Sequence, residues 1–301
     1  MFNKNLIILT VSQFFSLIPG IITVFLSGII AIEMIEIKFL ATLPAALLIV
    51  GTAIGTILAS YIMSIKGRRF GFMLSANIMT IAGLMASYAI LINSFFIFCF
   101  ANLIIGAGIS FTLQYRFAAA ESVSQKYKTN AVSIILFASM FGALIGPNLA
   151  TITKDFFQNT TYLGSYLVLS FISIVPFFLF LFFENENIKI TNNNENKISK
   201  RSYLQIIKQP RFLQAVVGAA IGYCTMSLLM TATPISMYVH NNISLGNTGL
   251  VIMFHVLVMF APSLLTGSLI KYIGHSYVMY AGVFSLFLCI LINFIGQSFY
   301  N

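Results

Sequence analysis

The chain has 301 residues, 59% apolar and only 8% charged, with a formal net charge of +9 and a mean hydropathy of +0.95. A soluble domain carries about 25% charged residues, so this composition cannot cover a globular surface. The basic residues stand mostly in short segments between apolar blocks, without the basic and aromatic interleaving of a nucleic-acid groove, so nucleic acid is not an expected partner. Cys99, Cys224 and Cys289 fall one each in three separate apolar blocks, with neither metal-ligand spacing nor a disulfide framework. No metal and no cofactor are expected.

The apolar residues arrive in blocks of roughly 20, the length a helix needs to cross a hydrocarbon core of about 30 Å. Closed barrels would need short alternating strands, which are absent. The expectation is an all-α integral membrane protein with nine spans, near 6–29, 39–63, 71–92, 95–119, 130–152, 161–183, 212–236, 248–271 and 277–297. The first block is too long for a signal-peptide core and is read as a retained helix. Pro19-Gly20 inside it predicts a kink or a close helix contact.

Orientation follows from lysine and arginine. With the N-terminus cytoplasmic, thirteen of the sixteen basic residues fall inside, only Lys38 and Lys154 fall outside, and Arg116 lies within a span. The reading is a multi-pass protein of the cell (inner) membrane with a cytoplasmic N-terminus. Residues 184–211 are polar and rich in Asn and Lys, and read as a cytoplasmic linker. The domains expected are therefore a six-helix bundle over 1–183, the linker, and a second bundle of three helices over 212–301.

The two parts repeat. Lys66-Gly67-Arg68-Arg69 follows span two and Ile273-Gly274-His275-Ser276 follows span eight, with the glycines 207 residues apart. The same shift carries Asn5, at the start of span one, to Phe212, at the start of span seven. The second part matches the first through its third helix.

On these residues the chain resembles the major facilitator superfamily, whose loop after helix two reads G-x-x-x-D-R-x-G-R-R. Here Ser60 and Ser64 replace the first glycine and the acid, while Gly67-Arg68-Arg69 matches. The second part keeps Gly267 and Gly274, with Lys271 at the acid position. Gly67 suits a tight turn at positive φ; Arg68 and Arg69 either pair with an acid across the cytoplasmic face or anchor to lipid headgroups. Helix five carries Gly142-x-x-x-Gly146-Pro147-Asn148, similar to the family's G-x-x-x-G-P-x-x-G-G, with Ala150-Thr151 in place of the last two glycines. Small residues four apart let helices approach closely, and in the family this motif goes with exporters that exchange substrate for protons.

Span four reads Gln114-Tyr115-Arg116 through Glu121. Glu121 lies about 500° around the helix from Arg116, so the two do not share a face. It is expected to meet Arg68 or Arg69, as in the family's cytoplasmic gate. Arg116 then either faces the central cavity or snorkels to the interface. Asn102 stands where the family has an arginine, before Gly106 and Gly108. Gln13, Asn77, Asn148, His255 and Asn293 are the other polar residues in the spans. Gln13, Gln114, Arg116 and Asn148 are the cavity candidates. His255 suits proton coupling or an interhelical hydrogen bond. Glu33 and Glu36 are placed in the first outer loop.

The resemblance implies a secondary transporter of a small organic solute, working by alternating access, with proton-coupled export as the expected direction and membrane lipid and protons as its other partners. A second reading is a truncated, non-transporting fragment, since the superfamily normally has twelve helices. A membrane enzyme would need a cluster of His, Asp or Glu at one face, and none is visible.

Overall fold

A computed structural model describes residues 3–185, 205 and 207–295. Most of the expected linker, the side chain of Asn293 and the last residues of the ninth expected span lie outside the described residues. All regular structure described is helical. It comprises α1 (Lys4–Met34), α2 (Leu43–Leu91), α3 (Phe95–Thr112), α4 (Tyr115–Glu121), α5 (Lys128–Thr153), α6 (Leu163–Phe180), α7 (Pro210–Ile235), α8 (Leu245–Phe260), α9 (Ser263–Ile273) and α10 (His275–Ile295). Short 3₁₀ turns precede α2 and α5, and a π-helical turn, Ser236–His240, follows α7.

At 49 residues α2 would be about 73 Å long if straight, more than twice a hydrocarbon core. It is two rods. The break is Gly67, at φ 81° and ψ 165°, a backbone conformation essentially reserved for glycine. Spans two and three are therefore joined by one residue rather than by the loop expected at 64–70. Three further corrections concern boundaries. Span four bends at Leu113-Gln114, between α3 and α4. Span eight divides at Ala261-Pro262, because proline has no N–H to continue the ladder. Glu33 lies in the last turn of α1 rather than in a loop. Pro19 leaves α1 unbroken; the close contact is at Gly20, where a Cβ would stand 3.3 Å from Ile109 Cδ1 of α3.

Gly274 adopts φ 84° and ψ 163°, nearly the values at Gly67, and these two are the described glycines with positive φ. The 207-residue shift also carries α1 (4–34) to within one residue of α7 with its π turn (210–240), and the second rod of α2, from Arg68, onto α10, from His275. The repeat read in the sequence is thus a repeat of backbone geometry. Gly267 lies inside α9.

One core joins the middles of α1, α2, α3, α5 and α6 around Ile22, Phe25, Phe98 and Tyr166, and extends to Met230, Leu245, Ile252 and Val256 of the second part. A second core, around Phe72, Tyr115 and Phe180, closes the end of the bundle that carries Lys4, Arg68 and Lys128, here called the basic end. Helices α2 and α3 approach so closely that a Cβ on Gly51 would lie 1.9 Å from Leu103 O, and one on Gly106 2.0 Å from Leu48 O. The two parts pack tightly toward the far end: a Cβ on Gly28 of α1 would lie 2.7 Å from Ile235 Cδ1 of α7. Along α7 the buried residues are Met230 and Pro234, both in its last turns.

Replacing Gly67 by alanine is expected to lower the thermal midpoint in detergent more than Gly274→Ala. Both changes force a side chain into a conformation that costs about 1–3 kcal/mol. Only at Gly67 would the new methyl also meet a neighbour, Asn185 Nδ2 at 2.8 Å. Equal shifts in the two midpoints would show that the Asn185 contact contributes nothing.

Candidate functional site

At the basic end, the turn at Gly67 aims two arginines in different directions. Arg68 Nε donates to Glu121 Oε2 at 2.7 Å and its Nη2 donates to Oε1 at 2.6 Å, a bidentate pair across α2 and α4. Arg69 donates instead to the last carbonyls of α6, Nε to Phe180 O at 3.1 Å and Nη2 to Leu181 O at 2.5 Å. Phe180 O also accepts from Phe183 N–H at 3.2 Å in the closing turn. Carbonyls at a helix end lack the usual intrahelical partner, so a guanidinium there completes the helix end and suits its negative pole. The backbone N–H of Arg69 donates to Asn185 Oδ1 at 3.0 Å.

The start of α1 is tied to the same place. Lys4 Nζ donates to Glu184 Oε1 at 2.7 Å, and Asn5 exchanges two hydrogen bonds with the Glu184 backbone. Lys4 beside Glu184 holds its carboxyl below the usual carboxylate range. Asn3 caps α1 through Leu6 N–H and donates to Ser122 O beyond α4. Under these contacts Phe72, Tyr115 and Phe180 pack with ring centroids 4.7–5.3 Å apart, and the Tyr115 hydroxyl meets Ser16 Oγ of α1 at 3.2 Å. The charged layer thus sits on an aromatic floor. Together they frame a cavity of about 830 Å³ lined by Asn5, Ser60, Ser64, Arg68, Gln114 and Glu121, among others. Both serines that replace the family's glycine and acid face this space.

The second cluster lies along α5. Gly142 and Gly146 face α1: a Cβ on Gly142 would stand 3.0 Å from Phe14 O, and one on Gly146 3.1 Å from Ile21 Cγ2. One turn on, α5 meets α8. A Cβ on Gly249 would lie 3.5 Å from Pro147 Cβ and 3.6 Å from Thr151 Oγ1, so Thr151, at a position where the family has glycine, abuts the second part. Asn148 Nδ2 donates to Leu144 O at 2.7 Å and approaches Met253 Sδ of α8 at 3.6 Å. Gln13 Nε2 donates to the buried Ser139 Oγ at 3.0 Å, joining α1 to α5.

Of the cavity candidates, Gln114 lines the space at the basic end, Gln13 and Asn148 bridge helices, and Arg116 is not in a cavity. Its guanidinium is exposed and lies 5.0 Å from the Phe117 ring centroid, on the outside of α4. The cavity assignment for Arg116 is corrected: a helix that commits Tyr115 and Ala119 to the core turns residue 116 outward. His255 is half-buried on α8 and makes no hydrogen bond among the described residues. Asn102, in the family's arginine position, is fully buried and donates to its own helix at Phe98 O. The aromatic floor and the Lys4, Asn5 and Glu184 tie were not expected. Phenylalanine makes up a tenth of the chain, and nothing in the spacing separates Phe72, Phe180 and Phe183 from lipid-facing rings.

Residues 6–300 match the Major Facilitator Superfamily. The chain belongs to this superfamily. It is 31% identical over 281 residues to the riboflavin transporter RfnT of Brucella anthropi, covering 93% of this chain and 70% of that protein. It is also 31% and 28% identical to two MFS-type transporters of Bacillus subtilis, YdeG and YddS, covering 92% of this chain and 66% of each. The chain thus spans about two thirds of the length of these relatives. As a major facilitator protein it is a multi-pass membrane protein, and its family and relatives are transporters rather than enzymes.

Two outcomes test this major facilitator geometry. A double-mutant cycle on Arg68→Ala and Glu121→Ala, read by unfolding in mixed micelles, should give a coupling of about 1 kcal/mol, the upper range for a partly exposed pair. A coupling of zero would mean the pair is incidental. Gly146→Leu should lower stability by roughly 1–3 kcal/mol, the usual cost of overpacking, because Ile21 of α1 has nowhere to move.

Proposed function

We propose that this chain is a secondary transporter that carries a small organic solute by alternating access. The moving parts are a six-helix bundle over 1–183 and the helices of 212–301, joined by the 184–211 linker. The observation that carries the reading is how the two parts meet. Toward the far end their contact is dense, with Ile235 on Gly28 and Pro147 and Thr151 at Gly249. Toward the basic end it thins to a cavity of about 510 Å³ between α5 and the α8–α9 junction. A crevice of about 390 Å³ lined by Ile29, Glu33, Tyr238 and Asn242 also lies at the far end, so the seam is tightest at Gly28 and Gly249 and looser toward the basic end. Such uneven packing between two parts suits one of the states such a cycle requires. The excess of basic residues at the loose end supports placing it, and the N-terminus, in the cytoplasm of an inner-membrane protein.

The solute we assign is uncharged, aromatic and rich in hydrogen-bonding groups, riboflavin being the first to test. RfnT, the relative at 31% identity, is a riboflavin transporter. Gln13, Asn148 and His255 are among the polar side chains inside the spans, and none of the three carries a fixed charge. A charged solute would demand a counter-charge in this low-dielectric region. The motif from Gly142 to Pro147 supports exchange of solute for protons, and His255 is the titratable side chain placed to take part. The Gly67 loop, with Arg68, Arg69 and Glu121, is the gate in this reading. Gly142, Gly146, Pro147, Gly267 and Gly274 shape the helices that rock.

Proteoliposomes loaded with riboflavin, whose fluorescence reports its own movement, test the reading. An imposed pH gradient should drive flux through the wild-type chain, and His255→Ala should abolish the response to the gradient while sparing downhill exchange. Flux that persists with full pH response in His255→Ala would make the histidine structural. Absence of both solute and proton movement in the wild type would overturn the proposal.

A further inference from the structure

The cavity between α5 and the α8–α9 junction has an amphipathic lining. At the basic end it presents the Lys128 ammonium with the hydroxyls of Ser133 and Thr266; its other walls include Val132, Leu136 and Met259. Lys128 also borders the 830 Å³ cavity at the Gly67 turn, so it stands between the two spaces. The described carboxylates of that end are engaged elsewhere: both Glu121 oxygens accept from Arg68, and Glu184 accepts from Lys4. The neighbouring Lys126 lies over the Tyr127 ring, 5.7 Å from its centroid. The result is a cation without an acidic partner among the described residues, at the mouth of an apolar crevice, where a basic segment meets the membrane surface.

We propose that this crevice binds an anionic phospholipid from the leaflet at the basic end. The phosphate sits on the Lys128 ammonium, and the Ser133 hydroxyl donates to a phosphoryl or glycerol oxygen. The Thr266 hydroxyl, whose proton goes to Pro262 O at 2.7 Å, borders the headgroup, and one acyl chain lies along Val132, Leu136 and Met259. Charge complementarity selects an anion, and the apolar walls select one with a chain attached. Lys128, Ser133, Val132 and Leu136 come from the first part of the chain; Thr266 and Met259 come from the second. The crevice therefore exists only while the two parts hold this arrangement. A lipid that binds it stabilises this arrangement over any in which the walls close or separate, because a ligand shifts a two-state equilibrium by its difference in affinity. Anionic lipid is thus a regulator of whichever state is loose at the basic end, independent of the solute carried.

The test is lipid retention by the full chain, read by native mass spectrometry after extraction from phosphatidylcholine nanodiscs with and without phosphatidylglycerol. The wild type should keep phosphatidylglycerol in preference to phosphatidylcholine, and Lys128→Gln should lower that retention by about fivefold, the effect of one basic residue at an anionic surface. Lys126→Gln should change it by less than about twofold, since its ammonium is already on an aromatic ring. Ser133→Phe, which fills the crevice, should remove the preference; Met259→Phe serves if that variant fails to fold. Added phosphatidylglycerol should also raise the unfolding midpoint of the wild type more than that of Lys128→Gln. Equal retention of the two lipids overturns the proposal. So does an equal loss in Lys126→Gln, which would mean only general surface charge, or binding of free glycerol 3-phosphate as tight as that of phosphatidylglycerol.

Discussion

A peptide group in hydrocarbon has no water to bond, so each must find its partner inside the protein. That constraint decides where this chain can turn. Its helices break where the lost bonds are replaced or where the break reaches an interface. At Gly67 the chain reverses in one residue, and the two arginines that follow complete its surroundings, one on the last carbonyls of α6 and one on Glu121. The turn is therefore a junction of helices α2, α4 and α6. Through Asn185 and Glu184 it also gathers the start of α1. These contacts form one unit, because no single one can yield without exposing a backbone carbonyl or a charge.

Between the helices a different term dominates. Lipid tails are as apolar as leucine, so burying leucine against another helix gains little over leaving it in lipid, and association rests on close packing and hydrogen bonds. The seams follow that logic. Glycines let α2 reach α3 and α5 reach α1 at backbone distance, and small hydroxyls bond across helix seams. Thr52 donates to Gly106 O at 3.1 Å and Ser75 to Gly108 O at 2.9 Å between α2 and α3, and Ser165 of α6 donates to Ala150 O of α5 at 2.8 Å. Between the two parts the same device appears once more, at Gly249 against Pro147 and Thr151. Thr151, where the family has glycine, fills that seam with a side chain. The packing that positions Asn148 and His255 is thus also the packing at which the two parts of the chain meet.

Much of the fold was legible because membrane spans advertise themselves. Length and hydropathy gave the helical class, and the pair Gly67 and Gly274 gave the register of a repeat that the backbone angles reproduce within a few degrees. The boundaries were less legible. The break at Leu113-Gln114 carries no proline or glycine, and the joining of spans two and three by a single residue looks in the sequence like a seven-residue loop. Lys66, Arg68 and Arg69 suggest solvent, whereas the arginines are committed to α4 and α6.

The candidate site divides the same way. The residue types, an acid at the end of span four and arginines after a positive-φ glycine, narrowed the pairing to Glu121 with Arg68 or Arg69; which of the two, only geometry decides. Arg116 shows the limit, since both of its readings were open until the core claimed Tyr115 and Ala119 and rotated it outward. Composition, hydropathy and the basic-residue bias by themselves determined that this chain is a bundle of membrane helices with an internal repeat, because those properties depend on each segment's own transfer into lipid. The tertiary structure alone decided which side chains meet: the aromatic floor, the Lys4–Glu184 tie and the amphipathic crevice at Lys128. Such contacts join residues far apart in the chain, up to the 180 positions between Lys4 and Glu184, and no local energy term records them.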